Sequence, residues 1–178
     1  AYKLVNFASL DPSLQSRGIK GASNASKLDR EIWNEFYNDW NALAFESEVL
    51  LAKFSHTSVE KLNQIDENDL PKEGKTRAQV VMARVNQAFF RKSILASYNN
   101  TCCITGLQQP DLLIASHIIP WSVDKINRLN PRNGIALNPL HDKAFELGYL
   151  TITPEFYVIV SPTLLVKTHN NNGDLFDK

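Results

Sequence analysis

No apolar run in the 178-residue sequence approaches the roughly 20 residues that a membrane-spanning helix needs. No membrane partner is therefore expected. Cysteine is scarce. Only Cys102 and Cys103 are present, and they are neighbours. Adjacent cysteines rarely bridge each other, and two cannot furnish a four-ligand zinc site. A reducing, cytoplasmic setting is the expectation. Net charge is also missing: 19 Lys and Arg balance 19 Asp and Glu. A neutral chain is a poor indiscriminate polyanion binder. There are no internal repeats. The chain begins with Ala1 rather than Met, as a trimmed fragment would.

The zero balance hides an uneven distribution. Residues 29–73 carry eleven acids against four bases, a net of −7. Residues 74–143 carry nine bases against three acids, a net of +6. Such asymmetry can steer a polyanion to one part of a neutral protein. Two solvated helical faces of opposite sign would give the same pattern.

Residues 1–25, rich in Ser, Gly and Asn, read as a loop or arm. Ser26 with Asp29 three residues later signals a helix start. Leu28, Ile32, Trp33, Phe36, Tyr37 and Trp40 follow at helical spacing, and their aromatics read as core packing. A second helix is expected over 42–54. Residues 55–75 are polar and read as a linker, with His56 on the surface. A long helix is predicted over 76–98, with an apolar stripe of Val81, Val85, Phe89, Ile94 and Leu95. Arg77, Arg84 and Arg91 are seven apart and drift only ~20° per heptad, so they share a face. That face could track a phosphate backbone or pair with the acidic helices upstream.

After this helix the character changes. "LLIASHIIPW", from Leu112 to Trp121, contains an apolar strand candidate with a histidine in it. "GIAL" (Gly134–Leu137) is a second strand candidate. Asn138 is a good N-cap and Pro139 suits the first helical position, so a short helix should run to Leu147 and stop at Gly148. "LTIT", Pro154 and "FYVIV" read as a closing hairpin. The expected organisation is α+β. A helical N-terminal region covers 1–98, a small strand–strand–helix module with its hairpin covers 99–165, and a flexible tail covers 166–178, where His169 is incidental.

A lone histidine in an apolar strand is ordinarily a core residue with one hydrogen-bond partner. Here His117 is followed by Asn133 and by the His141–Asp142 pair, in the order strand, loop, strand, helix. The stretch "CCITGLQQPDLLIASHIIPWSVDKINRLNPRNGIALNPLHDKAFELGYLTI" resembles the HNH nuclease family, with its ββα-metal fold. It is especially similar to a bacterial restriction-type branch with a "SHI.PW … NG … LHD.AF" pattern. The resemblance covers about residues 102–153. Upstream, "NFASLDP", "RGIKG", "SKLDREIWNEF" and "VNQAFFRKSILASYNNTCCITG" resemble the N-terminal arm of such proteins. In that group a further module precedes "LVNFASLDP", so the chain is expected to begin inside that module's last helix.

The resemblance implies a metal-dependent DNA endonuclease acting on double-stranded DNA. It makes His117 the general base and gives Asn133 the task of holding the histidine's segment. A histidine, with an ordinary pKa near 6.5, suits general-base work at neutral pH. One divalent cation, Mg2+ or Mn2+, would clamp the phosphate. Family spacing, nine residues after the asparagine, points to Asp142 as the helix's metal ligand. A carboxylate suits a hard cation, so Asp142 is favoured. On a helical wheel, however, Leu140, Ala144 and Leu147 form the apolar face and His141 borders it, so His141 competes. Many family members carry Asp or His just before the base. Ser116 stands there, a weak ligand that suggests a loosely held, hydrated ion. The family's paired zinc-binding cysteines are also missing, and Cys102 and Cys103 are expected to pack under the loop.

Arg84, Arg91, Arg132 and Lys143 are the expected phosphate contacts. Cutting both strands usually takes two sites, which makes a homodimer an expectation although no interface is legible. Two other readings stay open: a catalytically weak or inactive nucleic-acid-binding module, favoured by Ser116, and a metal-stabilised interaction domain docking a partner through its acidic helices.

Overall fold

In the computed structural model, Ser26 Oγ accepts from the Asp29 N–H at 3.2 Å and the Asp29 carboxylate accepts from the Ser26 N–H at 2.9 Å. This reciprocal cap starts helix α3 (Lys27–Phe36) where the sequence places a start. The structure describes residues 2–72 and 74–164. The expected tail, with His169, lies outside the described residues.

The fold is α+β. In chain order it has α1 (Tyr2–Ala8), α2 (Pro12–Ser16), α3, α4 (Trp40–Phe54), α5 (Val59–Leu62), α6 (Gly74–Ser97), β1 (Ile114–His117), β2 (Gly134–Leu137), α7 (Pro139–Glu146), β3 (Leu150–Ile152) and β4 (Val158–Val160). It divides into two compact units. One runs to Phe89 and takes in Asp124–Asn130; the other is Phe90–Val123 with the described residues from Pro131 on. The division falls inside α6, and the loop 124–130 counts with the first unit.

In the first unit, residues 2–25 include two short helices, α1 and α2, which corrects the loop reading in that part. Asp11 accepts from the Ser13 N–H at 2.8 Å and Pro12 occupies the first turn of α2, a start signal masked by the Ser and Gly around it. Gly21 is required for space. A Cβ there would lie 2.2 Å from Ser9 N and 2.6 Å from Val5 O. Phe7 stacks on Trp33 with ring centroids 6.1 Å apart, joining α1 to α3. The linker reading of 55–75 is also corrected. Ser58 caps α5, and Asp66 caps a single 3-10 turn. Ile65 and Leu70 are buried with Val81 and Val85 of α6. Burying an aliphatic side chain of this kind is worth about 1.5–3 kcal/mol, enough to order a polar-looking segment. His56 is exposed.

The aromatics of α3 are less buried than core packing would require. Trp33 and Phe36 are half-buried, and Leu28 and Tyr37 are exposed. Asn41 accepts from Asn86 at 3.3 Å and from Arg128 at 3.4 Å.

The second unit is built on two antiparallel ladders, β1 with β2 and β3 with β4. All four β2 residues are buried. The apolar stripe of α6 shifts along the helix: Phe90 and Ile94 are buried, whereas Phe89 is half-buried. From Val85 to Phe90 the step is five residues, which a single 3.6-period stripe misses. The strand candidate within Leu112–Trp121 forms a strand of four residues. Leu112 belongs to a 3-10 turn, and Ile118 and Ile119 are exposed.

Candidate active site

His117 is the last residue of β1 and stands opposite Gly134 in the ladder. Beyond it Asn133 takes over the chain. The Ile118 N–H donates to the Asn133 carbonyl at 3.0 Å. The Ile119 N–H donates to Asn133 Oδ1 at 2.8 Å, and Asn133 Nδ2 donates to the Ile119 carbonyl at 3.1 Å. Asn133 is buried. Both ends of its amide are satisfied on one backbone residue, as a buried amide requires. The segment leaving His117 is thereby tied to the start of β2.

The imidazole of His117 contacts two aromatic rings. Phe90 of α6 lies parallel to it, with centroids 4.0 Å apart and planes 7° apart. Trp121 meets it edge-on at 5.5 Å and 89°. Ser116 is buried. Successive strand residues point to opposite faces, so Ser116 and His117 leave β1 in opposite directions.

Helix α7 packs against β1, β2 and β3. Asn138 caps it, its Oδ1 accepting from the His141 N–H at 2.9 Å, and Pro139 sits in the first turn. The apolar face expected from the helical wheel is not the inward one. Leu140 and Leu147 are 75% and 56% exposed, whereas His141, Asp142, Ala144 and Phe145 are half-buried. A two-turn helix offers little apolar surface, and the sheet contact selects the 141/144/145 face.

The imidazole of His141 lies beside the Cys102 thiol. Burial pushes that thiol's pKa up, but the Thr105 hydroxyl, the Thr105 and Ile104 N–H groups and His141 outweigh it and bring it down to about 6. Nδ1 of His141 is buried and has no hydrogen-bond partner among the described residues. Such an orphan suits a ligand to a cation. Among the described residues no three His, Cys, Asp or Glu side chains gather to hold an ion. The cysteines divide: Cys102 is buried as expected, Cys103 is exposed, and both are free. The loop carrying them docks on β2 through the Cys103 N–H to Ala136 O bond at 2.9 Å.

The four expected phosphate contacts are differently placed. Arg91 donates to the carbonyls of Leu113 and Pro110, clamping the approach to β1. Lys143 is exposed and bonds Glu146 at 2.8 Å. Arg132 is exposed, and Arg84 is half-buried in the first unit.

Sequence reasoning assigned no part to Phe90, Trp121 or Gly134. Trp121 sits in the quoted "PW" pair, which was a visible signal. Phe90 had none, because its burial depends on the face of α6 that meets β2.

No curated protein matches the chain significantly. Residues 102–153 match the family model described as HNH endonuclease. The matched stretch is less than half of the chain and takes in β1, β2, α7 and β3. This segment, carrying His117, Asn133 and His141, is the part of the chain that the HNH endonuclease family accounts for, and it indicates a nuclease-type function acting on nucleic acid.

Proposed function

We propose that the protein is a metal-dependent DNA endonuclease of restriction type, with His117 as its general base. The observation that carries this reading is the setting of His117. It ends a strand, its ring stacks on Phe90 and meets Trp121 edge-on, and the backbone just after it is tied to Asn133. A base held on a rigid element keeps its geometry better than one on a loop.

In the proposed reaction an imidazole nitrogen of His117 takes a proton from water. The water oxygen bonds to phosphorus, the bond from phosphorus to the 3′ oxygen breaks, and the leaving oxygen is protonated from solvent. Asn133 keeps the strand end in register while this happens. A bound Mg2+ or Mn2+ would offset charge on the phosphate and the leaving oxygen. His141, through its partnerless Nδ1, is the preferred protein ligand, with Asp142 beside it. The weak donor Ser116 contributes least.

Arg132 and Lys143, both exposed, are the candidates for phosphate contact, whereas the half-buried Arg91 donates to two carbonyls. The test is plasmid cleavage with and without a divalent ion, by the full chain and by His117→Ala. Ion-dependent nicking lost in the variant supports the reading, and no cleavage with any divalent ion refutes it.

A further inference from the structure

We propose that Ile118 and Ile119 are substrate-contact residues, packing against the sugar ring and base edge of duplex DNA beside the bond that is cut. The inference rests on the endonuclease reading of His117 and adds to it an apolar contact, separate from the phosphate contacts of Arg132 and Lys143. Both isoleucines directly follow His117 in the chain. They stay 47% and 43% exposed. A single exposed aliphatic side chain is ordinary. Here two are adjacent, and their backbone is held on every side. The Ile118 N–H and both backbone groups of Ile119 are bonded to Asn133. Pro120 follows and disfavours the helical conformation at Ile119. Both side chains are β-branched and stiff about their first torsion. The pair is thus presented in one arrangement, and covering it costs little ordering entropy.

The charge around the pair suits a polyanion. No Asp, Glu, Lys or Arg occurs between Leu112 and Val123, so no carboxylate in this stretch repels a phosphate. Asn133, which grips the pair, is preceded by the exposed Arg132. A cation beside two aliphatic side chains matches the two sides of a nucleotide, its phosphate and its sugar with the base edge. Continuity with His117 sets the place along the strand. Consecutive Cα atoms are about 3.8 Å apart, so a phosphate at His117 puts the adjoining sugars within reach of the next two residues. An apolar contact releases no counterion, so its contribution to affinity does not depend on salt as a phosphate contact does.

The experiment makes Ile118→Thr and Ile119→Thr in the full chain. Threonine keeps the β-branch, and with it the backbone preference, but replaces outer apolar atoms with a hydroxyl. Ile159→Thr is the control, the same change at a 52% exposed isoleucine of β4. A labelled duplex DNA is titrated at several salt concentrations. Ile118→Thr and Ile119→Thr should each weaken binding by about 10-fold at every salt concentration, with the slope of log affinity against log salt unchanged. In cleavage KM should rise with kcat unchanged, and Ile159→Thr should stay near wild type in both assays. Unaltered affinity in both threonine variants, a slope lowered by about 0.9 as for a lost phosphate contact, an equal loss in Ile159→Thr, or a loss matched by unfolding in the melting curve would each overturn the proposal. Light scattering adds a further outcome: a dimer in the unaltered protein that the threonine variants dissociate would assign the pair to a second copy of the chain and overturn it too. If the unaltered chain binds and cleaves the duplex while the threonine variants match it, this inference alone fails. If the unaltered chain neither binds nor cleaves it, the endonuclease reading fails and takes this inference with it.

Discussion

The side-chain amide of Asn133 grips both backbone groups of Ile119, accepting from its N–H at 2.8 Å and donating to its carbonyl at 3.1 Å. No other residue type offers an acceptor and a donor side by side at that reach, glutamine being one methylene longer. Asn133→Ala should destabilise the fold by about 1 kcal/mol or more, since each neutral hydrogen bond is worth roughly 0.5–1.5 kcal/mol net. Asn133→Asp keeps the acceptor but sets a carboxylate against the Ile119 carbonyl, and should be no better. Thermal denaturation of the two variants checks this. An unchanged melting temperature in both would remove the tether from the account.

His117→Ala should leave folding and duplex binding near wild type while cleavage falls ~10²-fold or more, the usual scale for loss of a general base. The measurement is single-turnover cleavage beside a binding titration. Comparable losses in both would mean that His117 binds DNA rather than activating water.

Manganese binding should suffer more from His141→Ala than from Asp142→Ala, because the buried Nδ1 of His141 is without a partner. Titration calorimetry with Mn2+ on the two variants decides between them. A larger loss with Asp142→Ala would restore the ligand that family spacing favours.

The two cysteines should react very differently. Cys103 is exposed and Cys102 is 1% exposed. A maleimide should label one thiol per folded chain, at Cys103, and a second only after denaturation. Mass mapping of the modified peptide reads the outcome, and prompt labelling of Cys102 would contradict its burial.

Duplex affinity should fall with salt. Arg132→Ala and Lys143→Ala should each lower the slope of log affinity against log salt by about 0.9 per lost phosphate contact. Arg91→Ala should behave otherwise and reduce stability, because its guanidinium holds the carbonyls of Leu113 and Pro110. Titrations at several salt concentrations, paired with melting curves, separate the two effects.

Local chemistry was legible in the amino-acid sequence wherever neighbours within four residues decide it. The Ser26–Asp29 cap, the Asn138–Pro139 start of α7 and the "GIAL" strand are of this kind, because caps and short strands are specified by nearby donors, acceptors and side-chain shape. The order of His117, Asn133 and His141–Asp142 was legible as well, as a succession of residue types. The tertiary structure decided what depends on packing between distant segments. It ordered residues 59–70 through Ile65 and Leu70, and turned Leu140 of α7 and Leu147 just after it to solvent. It brought Phe90, 27 residues away in the chain, flat against His117. The physical reason is that a helical wheel names which residues share a face but not which face will be covered. That choice is made by the surface the helix meets, here a four-residue strand with a glycine at the one place where a side chain would block the way.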